Sequence, residues 1–188
     1  MNHPQFQING GFSLSSPEQG VPAQRPSLAD AQALFCTGEM WSLIEKMLCP
    51  IVESLGANGG IVRVLSPDRQ TLQIAGATGL PMEVCEDESV VDISCGVCGK
   101  AACDRNVHAS EAAICAQRPS RRFNEAGCSY VVAAPLEYRR ELVGIITLFF
   151  QSPDKVPDNL TQKILPFAEL IGVVLEHGRK SVEDKRSQ

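Results

Sequence analysis

Residues 130–150 read YVVAAPLEYRRELVGIITLFF, and the architecture turns on this stretch. Residues 130–136 and 143–150 are nearly unbroken apolar runs rich in Val, Ile and Phe, each of strand rather than helix length. Between them Glu137-Tyr138-Arg139-Arg140-Glu141 is short and polar. Two β-prone runs joined in this way predict an antiparallel hairpin, and their lack of alternation predicts that both faces of both strands are buried. Such a hairpin belongs in the middle of a sheet.

Working outward, residues 61–65 form a short β-prone run, Ser66-Pro67-Asp68 a turn, and residues 71–75 alternate as a half-buried strand does. This is a second hairpin. Residues 90–93 are a third strand candidate, and a small helix is expected over 99–105. Residues 106–127, with Pro119 and three arginines, read as a long loop or short helices over a site. Helices stand at both ends. Ser27-Leu28-Ala29-Asp30 offers a capping hydroxyl and an acid for a first turn. Trp41, Ile44, Leu48, Ile51 and Leu55 then recur at three- and four-residue steps, and Pro50 is expected to kink or divide that helix. After Pro157-Asp158, the residues Leu160, Ile164, Phe167, Leu170, Ile171 and Val174 make a broad apolar stripe, wide enough to predict a homodimer through terminal helices. The expected fold is α+β: an antiparallel sheet with terminal helices packed on one face and a loop-rich pocket on the other. Residues 1–26 read as a flexible N-terminal arm, 27–180 as one domain and 181–188 as a charged tail.

Composition narrows the function. The 188 residues carry a formal charge of −5 with acids and bases intermixed, and only 5% are aromatic. No basic stripe interleaves with aromatics, so nucleic acid is not an expected partner. The amino-terminal segment lacks the apolar core of a signal peptide, and residues 164–175, broken by Pro166 and Glu169, fall short of the ~20 residues a membrane span needs. The expectation is a soluble, cytoplasmic protein without a membrane partner. In that reducing compartment the eight cysteines point to metal or redox chemistry rather than a disulfide framework.

Five of those thiols, Cys95, Cys98, Cys103, Cys115 and Cys128, fall within 34 positions. Cys95-Gly96-Val97-Cys98 is a CxxC step, which lets two sulfurs converge on one metal or on each other. With Cys103 it forms CxxCx4C, and a distant fourth cysteine would complete the four thiolates of an iron–sulfur cluster. Cys128, just ahead of a central strand, is the expected fourth ligand, and Cys115 the alternative ligand or redox partner. Cys36, Cys49 and Cys85 read as apolar filler. His108 is a weaker candidate ligand, because no second histidine offers a pair. Arg118, Arg121 and Arg122 are either an anion site or a solvated loop.

The order of elements, together with Cys98-Gly99-Lys100-Ala101, then Ala134-Pro135-Leu136 and Leu142-Val143-Gly144-Ile145-Ile146-Thr147-Leu148, resembles a GAF domain over residues 28–179. The resemblance implies a five- or six-stranded sheet, a small-molecule or cofactor pocket on one face and a dimer through terminal helices. GAF domains of bacterial sensor kinases often look like this, and the resemblance implies a signalling sensor acting on a partner such as a histidine kinase. No kinase activity is expected of this segment itself. The resemblance also admits an enzyme. Gly96-Val97-Cys98-Gly99 is similar to a segment of free methionine-R-sulfoxide reductases, whose catalytic thiols would be drawn here from Cys98, Cys115 and Cys128. Against that, His108 stands where that family has a further cysteine, and Phe149-Phe150-Gln151-Ser152 replaces an acid-rich strand end.

Overall fold

The computed structural model describes residues 38–112 and 126–186. The N-terminal arm, the helix start at Ser27, Cys36, Cys115 and the arginines 118, 121 and 122 lie outside them. The two hairpins are β1 (Gly59–Leu65) with β2 (Thr71–Thr78), and β5 (Tyr130–Tyr138) with β6 (Glu141–Phe150). Antiparallel pairing of β1 with β6 joins them. Short strands close the edges, β3 (Val90–Asp92) beside β2 and β4 (His108–Glu111) beside β5, so the sheet runs β3-β2-β1-β6-β5-β4. The near-continuous burial of β1, β5 and β6 follows from layers on both sides of the sheet.

Register divides the side chains. Val62, Val64, Val132, Ala134, Ile146 and Leu148 point to one face, where they pack with Ile44, Leu48 and Ile51 of α1 (Gly38–Leu55) and Ile164, Ala168 and Ile171 of the carboxyl-terminal helix α4 (Leu160–Arg186). Two short helices, α2 (Met82–Asp87) and α3 (Gly96–Asp104), cover the opposite face. A Cβ at Gly172 would collide with the carbonyl oxygen of Glu137, so α4 touches β5 there backbone to backbone.

Sequence and structure part company in four places. Pro50 does not divide α1, which runs through it; it stands on the exposed side, where a lost backbone hydrogen bond is made good by water while Leu48 and Ile51 hold the other side to the sheet. The helix expected over 99–105 begins three residues earlier, at Gly96. α2 carries too few apolar residues to show a helical period, and β4 is a polar edge strand, His-Ala-Ser-Glu, specified by pairing with β5 rather than by its own residues.

Both connections at one end of the sheet place arginine in the left-handed region: Arg69 at φ 59°, Arg139 at φ 51° and Arg140 at φ 69°. Such backbone costs a residue with a Cβ about 1 kcal/mol or more relative to glycine.

Candidate functional site

On the α2 and α3 face the apolar side chains fall into two clusters. One contains Ile61, Ile74, Val131 and Phe149 beneath Val84 and Cys85 of α2. The other contains Leu65, Leu72, Ala133 and Ile145 beneath Val97, Cys98 and Ala101 of α3. Between Ile61 and Leu65 on β1 stands Arg63, and between Ile145 and Phe149 on β6 stands Thr147, so the strands' alternation sets two polar side chains where the clusters meet.

Arg63 is 1% exposed. Its Nη2 donates to Glu88 Oε2 at 2.8 Å and its Nη1 to Thr147 Oγ1 at 3.3 Å. Cys98 Sγ lies 3.4 Å from the same hydroxyl and is hydrogen-bonded to it. The Arg63 Nε–H is buried with no partner among the described residues. A buried guanidinium needs a counter-charge and a partner for every N–H. Glu88, at the end of α2, supplies the charge, and the Nε–H is left as an unmatched buried donor among the described residues. Gly99 seats α3 above this centre, since a Cβ there would come within 2.5 Å of the Ser94 carbonyl carbon.

The cysteines are distributed. Cys95 is half-buried at the start of α3 and packs against the same cluster as Cys98, one helical turn on. Cys103 follows Cys98 by five residues, roughly 140° around the helix, and is exposed. Cys128 belongs to the other cluster, the one that holds Cys85. Burial pushes the Cys128 thiol up; it does the same to Cys85, where the nearby Arg63 charge pulls the other way without prevailing. Thiols so placed stay protonated and react slowly. Among the described residues no three His, Cys, Asp or Glu side chains form a metal-ligand group. His108 sits on β4 with Nε2 2.6 Å from Asp104 Oδ2.

Arg63, Glu88 and Thr147 escape a reading that looks for clustered ligands. One signal pointed to them: Arg63 interrupts the run Ile61-Val62-Arg63-Val64-Leu65, and a charge inside a fully buried strand must be held by partners.

The family model for the GAF domain matches residues 43–176. The chain belongs to the GAF family. Solved structures similar to this GAF domain include that of an Acinetobacter phosphoenolpyruvate-protein phosphotransferase, at 14% identity and TM-score 0.63, covering 83% of this chain and 94% of that one. The second GAF domain of DevS from Mycobacterium smegmatis gives 17% identity and TM-score 0.56, covering 85% of this chain and 100% of that one. A type II free methionine-R-sulfoxide reductase from Thermoplasma acidophilum gives 14% identity and TM-score 0.60, covering 75% of this chain and 95% of that one. No curated protein matches in sequence. At these identities the structural neighbours speak to the fold of the GAF domain. No helix among its described residues is long and apolar enough to cross a membrane.

Proposed function

We propose that this GAF domain is a signal-transduction sensor that receives a small oxygen-bearing ligand at the Arg63, Thr147 and Cys98 centre and passes its state to a partner, such as a histidine kinase, through α1 and α4. The observation that carries the reading is the buried Arg63, neutralised by Glu88 yet keeping an Nε–H without a partner among the described residues. Fold stability alone is served as well by an aliphatic side chain, whereas a carboxylate or carbonyl oxygen of a ligand satisfies that donor. A ligand there would bear on α3 and the central strands, whose other face carries α1 and α4. Along α4, Phe167, Leu170 and Val173 are exposed, as is Leu43 on α1, and a second copy of the chain is the occupant we assign to that apolar surface.

The test is to denature the purified full chain and identify released small molecules by mass spectrometry. A released compound with a carboxylate or carbonyl, retained by the parent and lost from Arg63→Met, is the expected result. Parent protein that releases no such compound, and that binds none from a panel of small carboxylates, would defeat the reading. Light scattering should give twice the chain mass.

Sulfoxide reduction is the second reading, favoured by the position of Cys98 in Gly96-Val97-Cys98-Gly99 over the sheet. It needs an accessible thiolate and a nearby resolving thiol. Cys98 is 6% exposed, and Cys128 is in the other cluster with its thiol pushed up by burial. Turnover of free methionine sulfoxide with a dithiol reductant would place this reading first.

A further inference from the structure

At the end of the sheet where both hairpins turn, the structure holds a cavity of about 300 Å³ between the turns and the later part of α4. Its apolar lining is Val64, Val143 and Leu175 from the helix-bearing side of the sheet, with Leu65 and Leu142 from the α3 side. Arg63 and Cys98 line no part of it. Its rim is cationic. Arg69 comes from the first turn, Arg139 from the second, and Arg179 and Lys180 from α4, against the carboxylates Glu141 and Glu176. Four positive groups to two negative ones is an excess that stands out in a chain whose formal charge is −5.

The two turn arginines of this group are the weakly paired ones. Glu176 is 7% exposed and lies 3.0 Å from Arg179 and 3.4 Å from Lys180, so its charge is shared by two cations. Glu141 approaches Arg69 only to 3.8 Å, with both side chains well exposed. Arg139 pairs with no carboxylate among the described residues, and its guanidinium lies 5.3 Å from the Tyr138 ring centroid. Lys180 lies 5.6 Å from that centroid, so the ring carries two cations beside the cavity.

Two of the four rim cations also have unusual backbone, a feature they share with Arg105 and Arg140 outside the cavity. Arg69 and Arg139 occupy left-handed turn positions that glycine or asparagine holds more comfortably. Two separate turns thus keep an arginine against backbone preference, and both arginines line one cavity.

We propose that this cavity is a second ligand site of the domain, taking a small molecule that bears a phosphate group. The guanidinium forks of Arg69 and Arg139 suit the paired oxygens of a phosphate, and Arg179 and Lys180 add charge from the opposite wall. A cavity of this size is at the small end of the range for metabolite sites. A ligand bridging both turns and α4 fastens that helix to the end of the sheet, so occupancy acts on the helix that carries the exposed apolar residues. The proposal stands whether or not the Arg63 centre binds a ligand.

Pyrophosphate titrated into the full chain at constant ionic strength, followed by calorimetry, is expected to bind saturably at one site. Arg139→Gly and Arg69→Gly should each weaken binding by about tenfold or more, the effect of losing a charge-assisted hydrogen bond, while the melting temperature without pyrophosphate stays level or rises. Arg139→Asn, which also tolerates the left-handed backbone, should weaken binding likewise. Lys100→Ala, which removes an exposed cation of α3 outside the cavity, should leave affinity unchanged. Parent protein that shows no saturable binding overturns the proposal, as does parental affinity in the arginine variants or an equal loss in Lys100→Ala.

Discussion

The two faces of the sheet are made by alternate residues of the same strands, and they are built on different terms. On β1, Val62 and Val64 enter one continuous apolar core with α1 and α4, while Arg63 between them faces the other way into a polar centre that separates two smaller clusters. β6 repeats the contrast, with Ile146 and Leu148 on one side and Thr147 on the other. A face that only has to hold together uses interchangeable aliphatic groups, whereas the other face commits to particular atoms at particular distances. Stability should therefore be concentrated in the α1 and α4 core, and the selectivity of the Arg63 centre should be separable from it.

The largest expected effect tests the first half of that contrast. Leu48 is fully buried in the α1 and α4 core, and Leu48→Ala should lower unfolding stability by about 3 kcal/mol in urea titration. Retention of any ligand released from the parent should not change. Loss of ligand from the variant while still folded would break the separation of the two faces.

Next in size is the Arg63 and Glu88 pair. Arg63→Met leaves Glu88 without its counter-charge in a setting only 18% exposed, and should cost about 2 kcal/mol, less than for a fully buried pair because water still reaches the carboxylate. Adding Glu88→Gln should restore most of that stability without restoring ligand. If the double variant stays as unstable as the single one, Arg63 is chiefly a packing element.

What the sequence disclosed follows the same division. The helix face was legible because aliphatic residues at helical and strand spacing announce themselves in number: the stripe from Trp41 to Leu55 and the runs around Val132 and Ile146 led directly to the α+β arrangement. The polar centre draws single residues from β1, β6, α3 and the end of α2, and nothing in their spacing of 25 to 84 positions marks them as neighbours. The cysteine segment is a third case: on α3 the helical turn sends Cys98 to the sheet and Cys103 to solvent, which their spacing along the chain does not disclose.

A smaller effect concerns the buried thiol on the selective face. The Cys128 thiol is raised by burial, so below the ordinary thiol value near 9.0 both folded and unfolded chains hold the proton. As pH climbs past that value the unfolded chain ionises first, and stability falls until the folded thiol ionises too. Cys128→Ala should flatten this alkaline decline measured by urea unfolding across pH 8 to 10, an interval set by the ordinary thiol range. An unaltered slope would mean that the thiol is open to water.

The smallest change belongs to the turn. Arg140, at φ 69°, does not line the cavity beside it. Arg140→Gly should gain a few tenths of a kcal/mol by thermal melting, the relief of left-handed strain being partly offset by the extra freedom of the unfolded glycine. Pyrophosphate affinity should be unchanged, in contrast to Arg139→Gly.

The contact between Gly172 and the Glu137 carbonyl has a mechanical meaning. Gly172 is the thirteenth of the 27 residues of α4, close to the midpoint of a rod about 40 Å long. Backbone against backbone leaves no side chain to deform, so any side chain at Gly172 has to push the middle of α4 off β5. Ile164 and Leu175, buried on either side of it, would then lose their seat on the sheet together.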